Sequence, residues 1–338
     1  MMRRSRLDAA LAAGLDSVCI QSPRCGPSLG ARLRDEVVTY PMPALAFLRP
    51  QTVDEAVAAL AGYDGEAKVL AGSTALSIML RQQLVAPAAL VSLDRIDSLR
   101  GITEADGALV LGSLTTHREV ERSALVRDRL PVLADTFGKV ANVRVRNAAT
   151  VGGVVAEADY ASDPPAVLLA LDAVVEVQGS AGTRSEPIAD FITGFYETTL
   201  EPDEIVTAVR VPLLSPGTAA VYEKFVTRSS EDRPCVGVAV VLGLNADGSC
   251  SDLRVAVGAA CESPQRIAEA EALAVGKGID EELARQIAER YAAEIETLDD
   301  MRGSSWYRTE MIKVWVRRTI LRAQGELTSS SNGTGPRA

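Results

Sequence analysis

Two turns made of small residues constrain the fold and the chemistry of this chain more than any other feature. The first joins an apolar strand predicted over residues 68–71 to an amphipathic helix predicted over residues 75–83, and it contains Gly72, Ser73 and Thr74. A glycine lets the backbone turn sharply and approach a ligand closely. The free N–H groups and the positive dipole end of the following helix favour an anion. This turn is therefore a candidate phosphate site.

The second turn spans residues 150–154 and contains Thr150, Gly152 and Gly153. Here we expect exposed backbone amides at the two glycines, with the Thr150 hydroxyl beside them. A single turn of either kind is typical of an ordinary helix cap, but two in one domain predict an amide nest on each side of a pyrophosphate. Neither turn has the Gly-x-Gly-x-x-Gly pattern, which disfavours a Rossmann dinucleotide-binding fold.

Two charged residues are further candidates, and each has an alternative role. Asp163 follows the second turn, where a carboxylate could hold a ribose hydroxyl. It could equally be the N-cap of a helix predicted over residues 166–171. Lys224 lies on a predicted strand and could stabilise the anionic reduced form of a flavin ring, or it could be a solvated surface lysine.

Charge and composition exclude several classes of function. The net charge of −10 disfavours a nucleic-acid-binding or membrane-surface protein. No apolar run approaches the roughly 18 residues of a membrane span, and Asp8 and Asp16 interrupt what would be the apolar region of a secretion signal. We therefore expect a cytoplasmic protein. The five cysteines form no Cys-x-x-Cys pair and His117 is the only histidine, so no zinc or iron–sulfur site and no histidine-based triad is expected.

The chain divides at residues 212–217, a turn-rich linker with two prolines and a glycine. Before it, residues 1–39 are predicted to be a disordered extension because they have no periodic pattern, and residues 40–214 are predicted to form the first domain. After it, residues 219–325 are predicted to form a second domain with three strands, and residues 326–338, rich in serine and glycine, a disordered tail. The helices of the second domain are predicted at residues 264–275, 281–294 and 305–323.

Several short motifs also occur in a fixed order along residues 40–323. The strongest is Arg146-Asn-Ala-Ala-Thr-Val-Gly-Gly153, which contains the start of the second turn. The others lie at residues 47–50, 53–57, 71–74, 112–117, 156–159, 161–163, 168–173, 224–225, 236–239 and 302–308. This set resembles the FAD-binding medium subunits of the xanthine dehydrogenase and aerobic carbon monoxide dehydrogenase family of molybdenum hydroxylases.

The resemblance implies an α+β fold: a two-lobed, PCMH-type FAD-binding domain like that of vanillyl-alcohol oxidase relatives, then a smaller α+β domain with a three-stranded sheet and helices. It implies that the two turns contact the phosphates and ribityl chain of FAD, and that Asp163 binds the adenosine side. It also implies that Val140 and Val206 pack near the flavin, with Tyr196 close to its ring. The implied cofactor-binding residues are Val69, Leu70, Ala71, Gly72, Ser73, Thr74, Ala75, Leu76, Val140, Thr150, Val151, Gly152, Gly153, Val154, Asp163, Tyr196, Val206 and Lys224.

Two positions depart from the family pattern. Where the family usually has the second glycine of an Ala-Gly-Gly-Thr turn, this chain has Ser73, which must tolerate the backbone angles of that position. Where the second turn usually ends in asparagine, this chain has Val154, and the loss of a side-chain hydrogen bond would weaken FAD binding by at most about ten-fold. One branch of the family has a cysteine-rich, cluster-binding insertion after the second turn. In this chain Asp163 is followed directly by Pro164, so the insertion is absent and the chain is expected to carry flavin only.

The implied function is electron transfer within a complex. A large partner subunit would bind the molybdenum cofactor and hydroxylate the substrate, and a small partner would carry two [2Fe–2S] clusters, in a dimer of heterotrimers. Electrons would pass through the FAD of this chain to NAD, a quinone or oxygen, and no side chain of this chain need be catalytic. Two alternatives stay open: a self-sufficient FAD-dependent oxidoreductase, and a scaffold subunit that has lost FAD.

Overall fold

The computed structural model describes residues 45–332, so the predicted extension over residues 1–39 lies outside the described part. The described chain begins with a small parallel sheet in the order β1-β3-β2. Its elements are β1 (Ala46–Leu48), α1 (Val53–Ala61), β2 (Ala67–Leu70), α2 (Leu76–Arg81) and β3 (Ala89–Ser92). Thr52 caps α1 by accepting a hydrogen bond from the Glu55 N–H.

The second lobe is built on a five-stranded antiparallel sheet in the order β4-β5-β10-β6-β7, with a two-stranded hairpin, β8 and β9, beside it. The strands are β4 (Ile102–Ala105), β5 (Ala108–Gly112), β6 (Val174–Gly179), β7 (Gly182–Pro187), β8 (Ile192–Gly194), β9 (Glu197–Thr198) and β10 (Ile205–Pro212). The helices are α3 (His117–Arg122), α4 (Ala124–Arg129), α5 (Pro131–Gly138), α6 (Val143–Arg146), α7 (Val151–Glu157), α8 (Asp163–Ala170) and α9 (Ile188–Phe191).

The last part of the described chain is an antiparallel meander of three strands followed by helices. Its elements are β11 (Thr218–Phe225), β12 (Val236–Leu244), β13 (Cys250–Gly258), α10 (Ala268–Glu271), α11 (Glu281–Glu294) and α12 (Ser305–Asn332). Strand β12 is apolar along nearly its whole length because both faces of its sheet are covered. Ala239 and Val241 join the core of the second lobe, whereas Val238 and Val240 pack against the helices.

The fold is therefore α+β, as predicted, but two helix predictions in the last part are wrong. Most of the helix predicted over residues 264–275 is not helical, because Gln265 pairs with Val257 in a β-bridge and only Ala268–Glu271 forms a helix. Helix α12 does not end at residue 323 but continues to Asn332. Within residues 45–332, no helix is long and apolar enough to cross a membrane.

The longer α12 also corrects the predicted disordered tail, which starts at residue 326. The side chain of Leu327 packs against the core of the last domain. The hydroxyls of Thr328 and Ser329 donate to the backbone carbonyls of Gln324 and Gly325, at 3.2 and 2.7 Å. These bonds satisfy the polar side chains inside the helix, so a serine-rich sequence does not break it. Residues 333–338 lie outside the described part.

Candidate cofactor-binding site

The turn between β2 and α2 presents free backbone amides. Within the described chain, the N–H groups of Gly72, Ser73, Thr74, Ala75 and Leu76 have no hydrogen-bond acceptor. Ser73 has a left-handed backbone with φ of +57°, the conformation that glycine adopts most easily. Because α2 has no side-chain cap, these amides are available to an anionic ligand.

The second turn is built differently from the prediction. Thr150 caps helix α7, and its Oγ1 accepts a hydrogen bond from the Gly153 N–H at 3.2 Å. The Gly152 N–H donates to the Ser113 carbonyl at 2.8 Å. The expectation of exposed amides at Gly152 and Gly153 is therefore wrong, because helix capping and pairing with the segment after β5 already use them.

A cavity of 1170 Å³ opens between these two turns and extends to the meander. It is lined by all the predicted cofactor-binding residues except Leu70 and Val151, the latter fully buried in the core of the second lobe. Those that line it are Val69, Ala71, Gly72, Ser73, Thr74, Ala75, Leu76, Val140, Thr150, Gly152, Gly153, Val154, Asp163, Tyr196, Val206 and Lys224. Residues far apart in the chain thus meet at one place.

Asp163 and Lys224 form a buried ion pair, with the Lys224 Nζ 2.9 Å from the Asp163 Oδ2. The Tyr222 hydroxyl donates to the other oxygen of Asp163 at 2.6 Å. Lys224 also donates to the Lys139 carbonyl at 2.9 Å, and Lys139 donates to the Tyr222 carbonyl at the same distance. Asp163 is the first residue of α8 and not the N-cap of its helix, which is Ser162. Lys224 is not a surface lysine, since its side chain is only 6% exposed.

The cavity rim near Tyr196 combines aromatic and charged groups. Tyr196 has a φ of +58° and donates its hydroxyl to Asp159 at 3.2 Å. Burial and the negative charge of Asp159 raise the pKa of Tyr196 to about 12. Arg233, from the loop between β11 and β12, forms an ion pair with the same carboxylate. Phe195 lies beside Tyr196 and is about half exposed.

Sequence reasoning assigned no role to two polar residues on the cavity wall. Ser113 and His117 are almost fully buried and line the cavity, yet the Ser113 hydroxyl and both ring nitrogens of His117 have no hydrogen-bond partner within residues 45–332. Burial, together with the positive charge of Arg146, lowers the pKa of His117 to about 4. The signal that could have identified them is their position in the motif over residues 112–117.

These features fit a dinucleotide with a flavin ring. The free amides of the first turn suit a phosphate, the apolar side chains of Val140 and Val206 suit a ring system, and the unpaired groups of Ser113 and His117 suit hydroxyl or phosphate oxygens. In the described part of the chain, no three His, Cys, Asp or Glu side chains are arranged to hold a metal ion.

Comparisons with known proteins agree with this geometry. Residues 43–214 match the family described as the FAD binding domain in molybdopterin dehydrogenase, and residues 220–323 match the CO dehydrogenase flavoprotein C-terminal domain. The chain is 32% identical over 275 residues to the glyceraldehyde dehydrogenase medium chain of Sulfolobus acidocaldarius, a match that covers 81% of this chain and 96% of the relative. It is 33% identical over 282 residues to the nicotine 6-hydroxylase medium subunit of Paenarthrobacter nicotinovorans, covering 83% and 98%.

A solved structure shares the fold. A chain of carbon monoxide dehydrogenase from Hydrogenophaga pseudoflava matches with a TM-score of 0.80 and 34% sequence identity, over 84% of this chain and 98% of that chain. These matches confirm the predicted resemblance, the α+β fold class, the presence of an FAD-binding domain and the oxidoreductase class.

Proposed function

Since this chain belongs to the family of FAD-binding medium subunits of molybdenum hydroxylases, we propose that it transfers electrons through FAD within a larger complex. A large partner subunit would bind the molybdenum cofactor and hydroxylate the substrate, and a small partner subunit would carry [2Fe–2S] clusters. The electrons would leave to NAD, a quinone or oxygen, and the complex would be a dimer of heterotrimers. The medium chains and subunits named among the relatives support a role beside other subunits.

The observation that carries the proposal is the convergence of the two turns on one cavity. The free amides from Gly72 to Leu76 would hold the phosphates, and Val140 and Val206 would lie against the flavin ring. When bound, FAD supplies the capacity to accept and release electrons, which side chains lack. The chain itself would bind the cofactor, orient it and exclude water.

The buried pair Asp163–Lys224 has a different role in this proposal from the one the resemblance implies. The two side chains bond each other, so they do not lie at the two ends of the dinucleotide. Lys224 still lines the cavity and brings a positive charge there, which would favour a negatively charged form of a ring bound beside it. Asp163 would hold Lys224 in place.

The first test is the absorbance spectrum of the purified full chain, with the released cofactor identified by its mass. We expect a flavin spectrum and FAD in about equal amount to the protein. The variant Gly153→Asp would lose the flavin, because a carboxylate on the cavity wall repels phosphate. Its β-carbon would also stand 2.8 Å from the Thr150 Oγ1 that caps α7, so this cap must shift. Gly62→Asp, at the exposed end of α1, is the matched control and should keep its flavin.

Measurements on the same purified chain also separate the proposal from the two alternatives. A colourless chain that stays colourless when incubated with FAD would support a scaffold that has lost the cofactor. A flavin-containing chain that oxidises substrates without partner subunits would support a self-sufficient oxidoreductase. A flavin-containing chain that co-purifies with an iron–sulfur protein and a molybdenum protein would support the proposal.

A further inference from the structure

All the buried side-chain polar atoms that have no hydrogen-bond partner in residues 45–329 belong to two residues that line the cofactor cavity. They are the hydroxyl oxygen of Ser113 and the two ring nitrogens of His117. Ser113 is 3% exposed and His117 is 1% exposed. Folded proteins pair nearly all such atoms, so their concentration at this wall calls for a ligand or an ordered water.

The surrounding structure fixes both residues without using these atoms. The Ser113 carbonyl accepts a hydrogen bond from Gly152, and the His117 N–H donates to the Ala149 carbonyl at 2.9 Å. The His117 ring packs edge-on against Phe137, with 4.8 Å between the ring centroids. The His117 ring faces the Thr150 backbone closely enough to raise the pKa of the imidazole, but the two groups do not meet in hydrogen-bond geometry. The two side chains are therefore held in place, and no described group of the protein bonds their polar atoms.

Nearby polar side chains that do not line the cavity are satisfied by the protein. The Thr115 hydroxyl donates to the Gly101 carbonyl at 2.9 Å, and the Thr136 hydroxyl donates to the Val132 carbonyl at 2.7 Å. The unpaired atoms are thus confined to two polar residues that line the cavity, which points to an occupant of the cavity.

We propose that Ser113 and His117 bind the cofactor directly, by hydrogen bonds to the hydroxyl- and phosphate-bearing chain that links the flavin and adenine rings of FAD. The inference rests on the proposed function. Since the Gly152 and Gly153 amides are already bonded, polar contacts from this wall must come from side chains. A neutral imidazole and a hydroxyl each offer one donor and at least one acceptor, which matches ribityl hydroxyls and phosphate oxygens.

The test is the dissociation constant of FAD for flavin-free protein, measured by quenching of flavin fluorescence. His117→Phe keeps a ring that can pack on Phe137 but removes both nitrogens. It should weaken FAD binding by about ten-fold, the effect of one or two hydrogen bonds. The melting temperature of the flavin-free protein should stay equal or rise, because two unpaired buried atoms are lost. Ser113→Ala should weaken binding by roughly three- to ten-fold.

Thr136→Val is the matched control, because it removes a buried hydroxyl that is already bonded and does not line the cavity. Its FAD affinity should equal that of the natural chain. If His117→Phe does not fold, Ser113→Ala alone decides. If the natural chain binds FAD and both variants bind it with the same affinity, this inference is wrong and the proposed function stands. An ordered water would then satisfy these atoms. A natural chain that does not bind FAD would overturn both.

Discussion

The backbone carbonyl oxygen of Ala148 occupies the space that a side chain on Gly72 would need, well inside van der Waals contact with the ideal position of its β-carbon. The Ala149 Cα is 3.0 Å from the same point. These are backbone atoms, which cannot rotate away as the end of a flexible side chain can. The two turns that line the cofactor cavity are therefore packed backbone against backbone, and Gly72 is the residue that permits it.

Gly72→Ala should separate the two turns and abolish FAD binding. The added methyl group must push the first turn away from residues 148–149, which displaces the free amides that follow Gly72. Overpacking of this kind costs about 1–3 kcal/mol of folding free energy. FAD content and urea unfolding of the purified variant measure the two effects. Gly62→Ala is the control and should retain FAD, because its β-carbon meets nothing closer than 3.5 Å.

Ser73→Gly should stabilise the flavin-free protein by about 1 kcal/mol. Ser73 has a φ of +57°, and a side chain in this region costs about 1–2 kcal/mol, partly offset by the greater freedom of glycine in the unfolded chain. The control is Ser77→Gly in helix α2, where the same substitution should destabilise by about 0.5 kcal/mol. Urea unfolding measures the change in unfolding free energy for both variants. If both substitutions destabilise the protein, Ser73 is not strained.

The first turn could be predicted because its determinants are local: an apolar strand, three small residues and an amphipathic helix follow one another directly. The strain at Ser73 is also indicated by the sequence, because a serine stands where the family usually has a glycine. The bonding of the second turn could not be predicted, because the Gly152 amide is paired with Ser113, on a segment much earlier in the chain. The partners of Asp163 are likewise distant, with Lys224 61 positions away.

Lys224→Met should destabilise the protein by about 3–5 kcal/mol, because it leaves the buried carboxylate of Asp163 without its counter-ion. The double variant Lys224→Met with Asp163→Asn should recover part of this loss, since no unpaired charge remains. Urea unfolding of the two single variants and the double variant measures the coupling. Arg285→Met removes exposed ion pairs with Glu282 and Glu289 and should leave stability nearly unchanged. If the loss of unfolding free energy in the double variant equals the sum of the losses in the two single variants, the two side chains do not act as a unit.

Val154→Asn should strengthen FAD binding by up to about ten-fold, the value of one hydrogen bond. Val154 lines the cavity close to Thr150 and Gly153, and a valine there offers the cofactor no polar group. The control Val143→Asn changes an exposed valine that does not line the cavity and should leave the affinity unchanged. Fluorescence titration with FAD measures both. A weaker affinity for Val154→Asn would indicate that this position contacts an apolar part of the ligand instead.

The stability of the flavin-free protein should fall in mild acid because of His117. Burial lowers the pKa of this histidine to about 4, below the value of about 6.5 in an unfolded chain. As the pH falls, the unfolded chain therefore binds the proton first. The stability contributed by neutral His117 is complete above about pH 6.5 and is lost progressively towards pH 4.

Between about pH 7 and pH 5 the unfolding free energy should fall by about 2 kcal/mol because of His117. The variant His117→Phe should not show this decrease. The measurement is the difference in unfolding free energy between the natural chain and the variant at several pH values. Carboxylates titrate in both proteins and cancel in the difference. Because His117 is the only histidine, no other imidazole can contribute. Parallel curves would mean that His117 is protonated as easily in the folded protein as in the unfolded chain, and that water in the cavity solvates its ring.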